Sequence, residues 1–181
     1  MLTKGYKPLI TPTFGQHLKQ LSGFIGGKLI RSDLMQYIHF PEGYWFEDTI
    51  LFFLIFDLAQ NMIQIENNIY HYRHNQQGIT SSSKGKPKSL DTFYITEQLL
   101  KDRKTLRLPF SQSMYEKFLC QLRTNFYRTI FLKKVQLPIF LESCRLKNEY
   151  FKNLTTTNEK MRLLEEALIT ENYGKYLDAM I

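Results

Sequence analysis

Apolar residues recur at intervals of three and four along the second half of this chain, and this spacing constrains its fold most strongly. Residues three and four apart share one face of an α-helix, so we predict a helical region over residues 89–181 whose periodic side chains form a core. Pro109 and Pro138 are expected to separate the helices. The segments with this spacing are 93–100, 118–131 and 161–173.

The first 88 residues have a different pattern, in which glycines and prolines divide short apolar runs. Residues 49–59 are predicted to form a mostly buried helix, and the alternation over 63–73 predicts one or two short strands. Residues 76–88 are polar, with three consecutive serines, and are expected to form a mobile loop. The chain is therefore expected to divide into two regions, 1–88 and 89–181.

Composition excludes several classes of protein. Fourteen phenylalanines and eleven tyrosines supply more apolar surface than a disordered chain carries. The longest uninterrupted apolar run, residues 50–56, is far shorter than the roughly 20 residues that a membrane span needs. No signal peptide is recognisable, and two cysteines do not make a disulfide framework. These features predict a reduced, cytoplasmic protein.

The positive charge is concentrated in one segment. Residues 101–150 hold eleven lysines and arginines against four acids, an excess equal to the net charge of +7 of the whole chain. Such a segment favours anionic partners such as nucleic acid, phosphate or lipid headgroups, although a solvated helix face gives the same pattern. Aromatic and basic residues alternate over 115–134, so a helical nucleic-acid-binding module is an alternative function, but no recognition motif accompanies them.

One pair of acids is placed for proton-transfer chemistry. Glu47 and Asp48 follow a turn and begin the apolar helix, where the helix dipole favours an ionised carboxylate. Beside the apolar side chains of Trp45, Phe46 and Phe52, such a carboxylate could take a proton from a hydroxyl group. The alternative is a helix start with ordinary first-turn acids. The sequence contains no Asp-x-Asp, no phosphate-binding glycine loop and no His or Cys pair at metal-ligand spacing.

Candidate phosphate-binding residues lie on either side of this pair. Arg73 ends the predicted strand and presents a fork of donors that suits phosphate oxygens, with the hydroxyls of Thr80 and Ser81 close behind it in sequence. Lys28 follows two glycines, which would let a phosphate approach the backbone closely. A surface arginine beside a loop and a surface lysine are the alternatives.

Four short motifs, taken in order, resemble the second half of a family 2 glycosyltransferase catalytic domain of the GT-A type. The resemblance covers residues 23–83. The motifs are GKLIR at 27–31, FPEG at 40–43, EDT at 47–49, and IYHYR at 69–73 followed by IT at 79–80.

The resemblance implies a fold, a reaction and roles for these residues. It implies an α/β remnant of a GT-A domain over 1–88, on its acceptor side, followed by a mainly α-helical C-terminal region. The family transfers a sugar from a nucleotide-sugar to an acceptor hydroxyl, usually with inversion, in polysaccharide and glycoconjugate synthesis. Asp48 then matches the catalytic base and Glu47 its neighbour in the acceptor site. Arg73 with Thr80 and Ser81 would lie near the donor diphosphate, and Lys28 near the floor of the active site.

The resemblance also implies components that the motifs do not include. The complete enzyme needs a divalent cation, Mn²⁺ or Mg²⁺, whose ligands cannot be identified in this sequence. The nucleotide-binding half would precede Gly23, and 22 residues are too few for one βαβ unit. We therefore expect a transferase fragment with little or no activity alone.

Such a fragment would associate with itself or with a separately encoded N-terminal half. The basic stretch 101–134 could also hold it at the inner face of the cell membrane as a peripheral protein. A non-catalytic accessory subunit of a complete transferase is a further alternative.

Overall fold

The computed structural model describes residues 7–9, 23–36, 38–59, 61–64, 70–73 and 75–181. Within these ranges the chain is mainly helical. The α-helices are α1 (Phe56–Leu58), α2 (Ile79–Ser82), α3 (Asp91–Thr105), α4 (Gln112–Thr129), α5 (Gln136–Tyr150), α6 (Arg162–Ile169) and α7 (Tyr173–Met180). Short 3-10 turns occur at Ser32–Met35, Glu47–Thr49, Pro87–Leu90, Lys133–Val135 and Glu159–Met161, and Leu51–Ile55 forms a π-helical turn.

The β-structure of the described residues is limited to one short antiparallel pair. Strand β1 (Lys7–Leu9) pairs with strand β2 (Met62–Gln64), with Pro8 opposite Ile63. The expected α/β remnant of a GT-A domain is therefore wrong, and the fold is helical. A three-residue pair cannot form a layer on which helices pack, because a stable sheet needs more strands and a continuous apolar face. Part of the strand predicted over 63–73, residues 65–69, lies outside the described ranges.

The buried helix predicted over 49–59 is confirmed, although its winding changes along its length. It begins as the 3-10 turn Glu47–Thr49, widens into the π-turn Leu51–Ile55 and ends as α1. Four of the five residues of the π-turn are buried, and the turn packs on α3. This segment joins the first part of the chain to the helical region.

The predicted helical C-terminal region is confirmed by α3 to α7. Helix α4 begins at a capping serine, since the Ser111 hydroxyl oxygen accepts a hydrogen bond from the Met114 amide at 3.3 Å. Asn172 caps α7 in the same manner through the Lys175 amide at 3.0 Å. Pro138 does not separate helices as predicted but lies in the first turn of α5, where the missing amide is tolerated. No helix of the described residues is long and apolar enough to cross a bilayer.

The apolar core is one continuous cluster. It joins Ile38 and the π-turn to the inner faces of α3, α4 and α5 and to the packed pair α6 and α7. Aromatic rings fill its centre, with Phe118 stacked on Phe151 at 4.9 Å between ring centroids. Helices α6 and α7 meet at a tight turn in which Glu171 has a positive φ of 49°. The helical region therefore packs directly on the segment that contains Asp48.

Candidate functional site at Asp48

The loop that leads to Asp48 ends in an unusual backbone conformation. Phe46 is buried and adopts left-handed φ and ψ angles of 68° and 32°, which bulky side chains rarely do. The Thr49 hydroxyl donates to the Phe46 carbonyl at 2.9 Å, and the Thr49 amide donates to the same oxygen at 3.2 Å. These bonds hold the Glu47–Thr49 turn in place. Strain of this kind is often found where a chain presents a functional side chain.

The Asp48 carboxyl group is half-buried, and its environment changes its protonation. Burial raises its pKa above that of an ordinary aspartate, and the positive charge of Arg128 opposes this increase. The neighbouring charge of Glu47, itself half-buried, raises the pKa further. None of the described residues forms a direct ion pair with Asp48.

Lys28 is also affected by the charge of Asp48. Burial lowers the pKa of its ammonium group, and the negative charge of Asp48 opposes this decrease. The Lys28 Nζ donates to the backbone carbonyl of Phe24, so the ammonium is anchored to its own loop. The turn at Gly26–Gly27 precedes it, with a φ of 72° at Gly27 that favours glycine. Two residues 20 positions apart in sequence therefore act on one another.

Arg128 is the residue of this site that sequence reasoning missed. Its guanidinium carbon lies 3.7 Å from the centroid of the Phe46 ring, and its Nη1 donates to the Thr92 hydroxyl oxygen at 2.7 Å. The Thr92 hydroxyl donates in turn to Asn125 Oδ1 at 2.8 Å. Burial lowers the pKa of Arg128, and Asp48 opposes this decrease. Helices α3 and α4 thus hold a cation beside the turn that carries Asp48.

A signal for Arg128 exists in the sequence, but it is indirect. The core-facing positions of α3 and α4 include polar residues, and these bond to one another: Asn125 Nδ2 donates to the Thr96 hydroxyl oxygen at 3.1 Å. Thr92, Thr96, Asn125 and Thr129 are all fully buried. A polar row on an otherwise apolar helix face predicts a buried hydrogen-bond network, and Arg128 lies one turn from Asn125.

The other predicted phosphate-binding residues are not joined to this group. Arg73 is exposed and forms no ion pair within the part of the chain that the structure describes. Thr80 and Ser81 lie on α2, both exposed. The Ser81 hydroxyl donates to the Asn75 carbonyl at 3.3 Å, which closes its own loop. No contact among the described residues links any of the three to Asp48.

The donors for a divalent cation do not come together either. Among the residues of the described ranges, no three histidines, cysteines or acids form a group that could hold a metal ion. Glu47 and Asp48 supply two carboxylates on one turn, which is too few for a cation cage made by this chain. We therefore assign no residue of the chain to a metal and derive no step through one.

Five of the eleven lysines and arginines of the basic segment are buried or half-buried, and six are exposed. Of its eleven lysines and arginines, Arg103 and Lys147 are buried, and Lys117, Arg123 and Arg128 are half-buried. Exposed Arg145 is paired with acids on its own helix and with Glu97 on α3. The structure thus uses much of this charge in internal contacts.

Comparison of the chain with protein-family models, with curated proteins and with solved structures yields no match. The arrangement of the described residues is therefore the basis for the functional argument.

Proposed function

We propose that Asp48 is the general base of a sugar transfer from a nucleotide donor to an acceptor hydroxyl. The observation that carries the proposal is the half-buried Asp48 carboxylate, which has two cationic neighbours, Lys28 and Arg128, and no direct ion-pair partner among the described residues. A carboxylate that is already bound in a salt bridge cannot readily take a proton. One that is partly desolvated is a stronger base than an ordinary aspartate.

The bond changes of this reaction balance with one base. The acceptor O–H gives its proton to Asp48 while the oxygen forms a bond to the anomeric carbon of the sugar. The bond from that carbon to the diphosphate breaks, and the nucleoside diphosphate leaves with the electron pair. Attack from the face opposite the leaving group inverts the configuration, so no covalent sugar–protein intermediate is needed.

Lys28 and Arg128 have two effects on this base. The positive charge of Arg128 favours the ionised form of Asp48 against the effect of burial, and Lys28, whose own pKa Asp48 raises, adds a second positive charge to the site. In the proposed reaction their positive charges would also stabilise the negative charge that develops on the acceptor oxygen as Asp48 removes its proton. The nucleotide part of the donor would be bound by a segment outside the described residues or by a second polypeptide.

Because the fold is helical, the proposal does not include a GT-A architecture. It depends only on the arrangement of Lys28, Asp48 and Arg128. A nucleic-acid-binding function gains no support from the positions of the basic residues, since five of the eleven in the basic segment are buried or half-buried. We therefore advance a single candidate function.

The test is complementation in the cell that produces the protein. The gene is deleted and replaced by the wild type, by Asp48→Asn or by Glu42→Gln, and the sugars of surface and lipid-linked glycans are quantified after hydrolysis. Glu42 is a matched control because it is an exposed acid six residues upstream in the loop that leads to Asp48. Immunoblots confirm equal protein levels.

We expect the wild type and Glu42→Gln to restore a glycan that the deletion removes. Asp48→Asn should lower its formation by about 10²- to 10⁴-fold, the usual contribution of a general base. Full restoration by Asp48→Asn, or a deletion that changes no glycan, would contradict the proposal.

A further inference from the structure

A cleft of about 410 Å³ lies between the loop that precedes Asp48 and the exposed face of α3. Phe40, Pro41 and Tyr44 line it from the loop, and Tyr94 and Gln98 line it from the helix. Its volume is in the range of small-molecule sites, which are typically about 300–1,000 Å³. The cleft is separate from the group formed by Lys28, Asp48 and Arg128, since none of these residues lines it.

The loop wall of this cleft is fixed to the start of α3 before any ligand binds. Lys88 Nζ donates to the Gly43 carbonyl at 2.6 Å and forms an ion pair with Asp91 at 2.9 Å. Asp91 Oδ2 also accepts a hydrogen bond from the Trp45 amide at 2.8 Å. A wall that is already ordered reduces the entropy lost on binding, so the cleft is preorganised.

The lining combines exposed aromatic rings with planar hydrogen-bonding groups. The side chains of Tyr44 and Tyr94 are 48% and 54% exposed. Gln98 Nε2 donates to Asp102 Oδ1 at 2.8 Å, which leaves the amide oxygen of Gln98 and the second carboxylate oxygen of Asp102 for a ligand. Aromatic faces beside amide and carboxylate groups suit a ligand that has both C–H faces and hydroxyls.

The charges of the cleft largely cancel. The Glu97 carboxylate is paired with Lys101 at 2.5 Å and with Arg145 at 3.3 Å. Asp102 is the remaining acid of the lining, and its carboxylate accepts from an amide rather than from a cation. Lys101 is paired with Glu97 and the exposed His39 is the other basic side chain of the lining, so an anionic ligand finds no lysine or arginine free of an acid here and the cleft favours an uncharged ligand over an anionic one.

We propose that this cleft binds a neutral saccharide, namely a portion of the acceptor glycan away from the reacting hydroxyl. The inference rests on the proposed sugar transfer for the identity of the ligand as an acceptor. Four residue steps separate Tyr44 from Asp48, so their Cα atoms lie at most about 14 Å apart. This separation is within the length of an oligosaccharide seated on Tyr44 and Tyr94, and in this proposal the cleft selects acceptors by the sugars that precede the reacting unit.

The experiment uses the single tryptophan, Trp45, which directly follows the cleft residue Tyr44. The purified full chain is titrated with maltotetraose, cellotetraose, chitotetraose and the anionic hyaluronan tetrasaccharide. Tryptophan emission and isothermal titration calorimetry are recorded for the wild type, Tyr94→Ala and Tyr127→Ala. Tyr127 is the matched control, an exposed tyrosine of α4 that does not line the cleft.

We expect at least one neutral tetrasaccharide to bind the wild type and to be preferred over hyaluronan. Tyr94→Ala should weaken this binding by tenfold or more, while Tyr127→Ala should bind as the wild type does. If no tetrasaccharide binds, or if Tyr94→Ala binds as tightly as the wild type, the proposal that the cleft binds a saccharide is overturned. Failure of the cleft is distinguishable from failure of the base, because the titration of Tyr94→Ala tests the cleft and the glycan complementation by Asp48→Asn tests the base. Far-UV circular dichroism confirms that each variant is folded.

Discussion

Arg103 on α3 is fully buried, and its guanidinium group joins three parts of the molecule. Nη1 donates to the Phe53 carbonyl at 2.7 Å, Nε donates to the Pro109 carbonyl at 3.1 Å, and Nη2 forms an ion pair with Asp57. A buried charge is tolerated only when such partners replace water. Its place in a basic segment of the sequence suggested a solvated or ligand-binding residue, but its contacts assign it to the core.

Replacement of Arg103 by methionine should destabilise the fold strongly. Arg103→Met leaves the Asp57 carboxylate and the Phe53 and Pro109 carbonyls without their partner, and we expect a loss of about 3–5 kcal/mol in the free energy of unfolding. Urea denaturation measures it. Lys104→Met, one position along the same helix and largely exposed, is the matched control and should change stability by less than about 1 kcal/mol. Equal effects of the two substitutions would show that the buried network does not stabilise the fold.

Asp48 should lower the free energy of unfolding at neutral pH. Its pKa is raised in the fold, chiefly by burial, so the native state retains the proton that the unfolded state releases. The free energy of unfolding therefore falls as pH rises from about 3.9, the ordinary aspartate pKa, to the raised value, and stays lowered above it. Asp48→Asn removes this penalty and should be more stable than the wild type at pH 7.

The stability gain of Asp48→Asn over the wild type should vanish below about pH 4, where Asp48 is protonated in both the folded and the unfolded state. Urea unfolding at pH 7 and pH 3.5 provides the comparison, with Glu42→Gln as a variant that changes an exposed acid. A stability gain for Asp48→Asn that is equal at both pH values would contradict the role of burial. This result would also separate loss of activity in Asp48→Asn from loss of folding.

At the scale of elements, the helical spacing of apolar residues correctly predicts which side chains are buried where a repeated apolar face packs on the core. Phe118, Leu119, Leu122 and Phe126 are all buried on α4, as their spacing predicts. The same spacing fails at Ile130 and Phe131, which are 39% and 62% exposed, because α4 ends at Thr129 and the chain turns away. Helix ends depend on caps and on neighbouring packing, which a hydrophobic period does not encode.

The motif resemblance implied roles for Lys28 and Asp48, but the fold that it implied around them is wrong. Asp48 raises the pKa of Lys28, and the described residues are mainly helical with one short strand pair. The motifs consist largely of turn and polar residues, and a strand forms only when a partner strand satisfies its backbone groups. Arg128 was not predicted because its proximity to the turn that carries Asp48 depends on how α4 packs, 80 residues away in sequence.

Helices α4 and α6 are joined by a buried polar contact that can be tested in isolation. Glu165 Oε1 accepts from the Tyr115 hydroxyl at 2.8 Å and from the Thr156 amide at 2.7 Å. Glu165→Ala leaves both donors buried and unpaired, so we expect a loss of about 2–4 kcal/mol in the free energy of unfolding. Glu166→Ala is the matched control, because the adjacent Glu166 is exposed and its carboxylate pairs, among the described residues, with the half-buried Lys175. Differential scanning calorimetry should show a lower melting temperature for Glu165→Ala and little change for Glu166→Ala.

An intermediate result is expected for Glu165→Gln, whose amide oxygen can still accept one of the two hydrogen bonds. If Glu165→Ala unfolds at the same temperature as Glu166→Ala, the contact between α4 and α6 does not contribute to stability. The helices would then be held together by apolar packing alone.

At the scale of the whole molecule, the two predicted regions share one core. The cluster of buried apolar residues includes the π-turn Leu51–Ile55 as well as helices α3 to α7. Arg103 reinforces this junction, since two of its partners, Phe53 and Asp57, lie before residue 89 and the guanidinium lies after it. A cut at the predicted boundary between residues 88 and 89 therefore exposes apolar surface and leaves a buried cation without an anion.

We predict that residues 89–181 alone retain helices but lose fixed packing, whereas residues 47–181 unfold cooperatively. The longer fragment keeps the π-turn, Asp57 and the Phe53 carbonyl, so both the apolar contacts and the partners of Arg103 are present. Urea titrations followed by near-UV circular dichroism and dye binding distinguish the two states. Arg103→Met should stabilise the packing of fragment 89–181, in which the buried cation is unpaired. The same substitution should lower the free energy of unfolding of fragment 47–181, in which the cation is paired. A cooperative transition of 89–181 at the same urea concentration as 47–181 would show that the helical region is an independent domain.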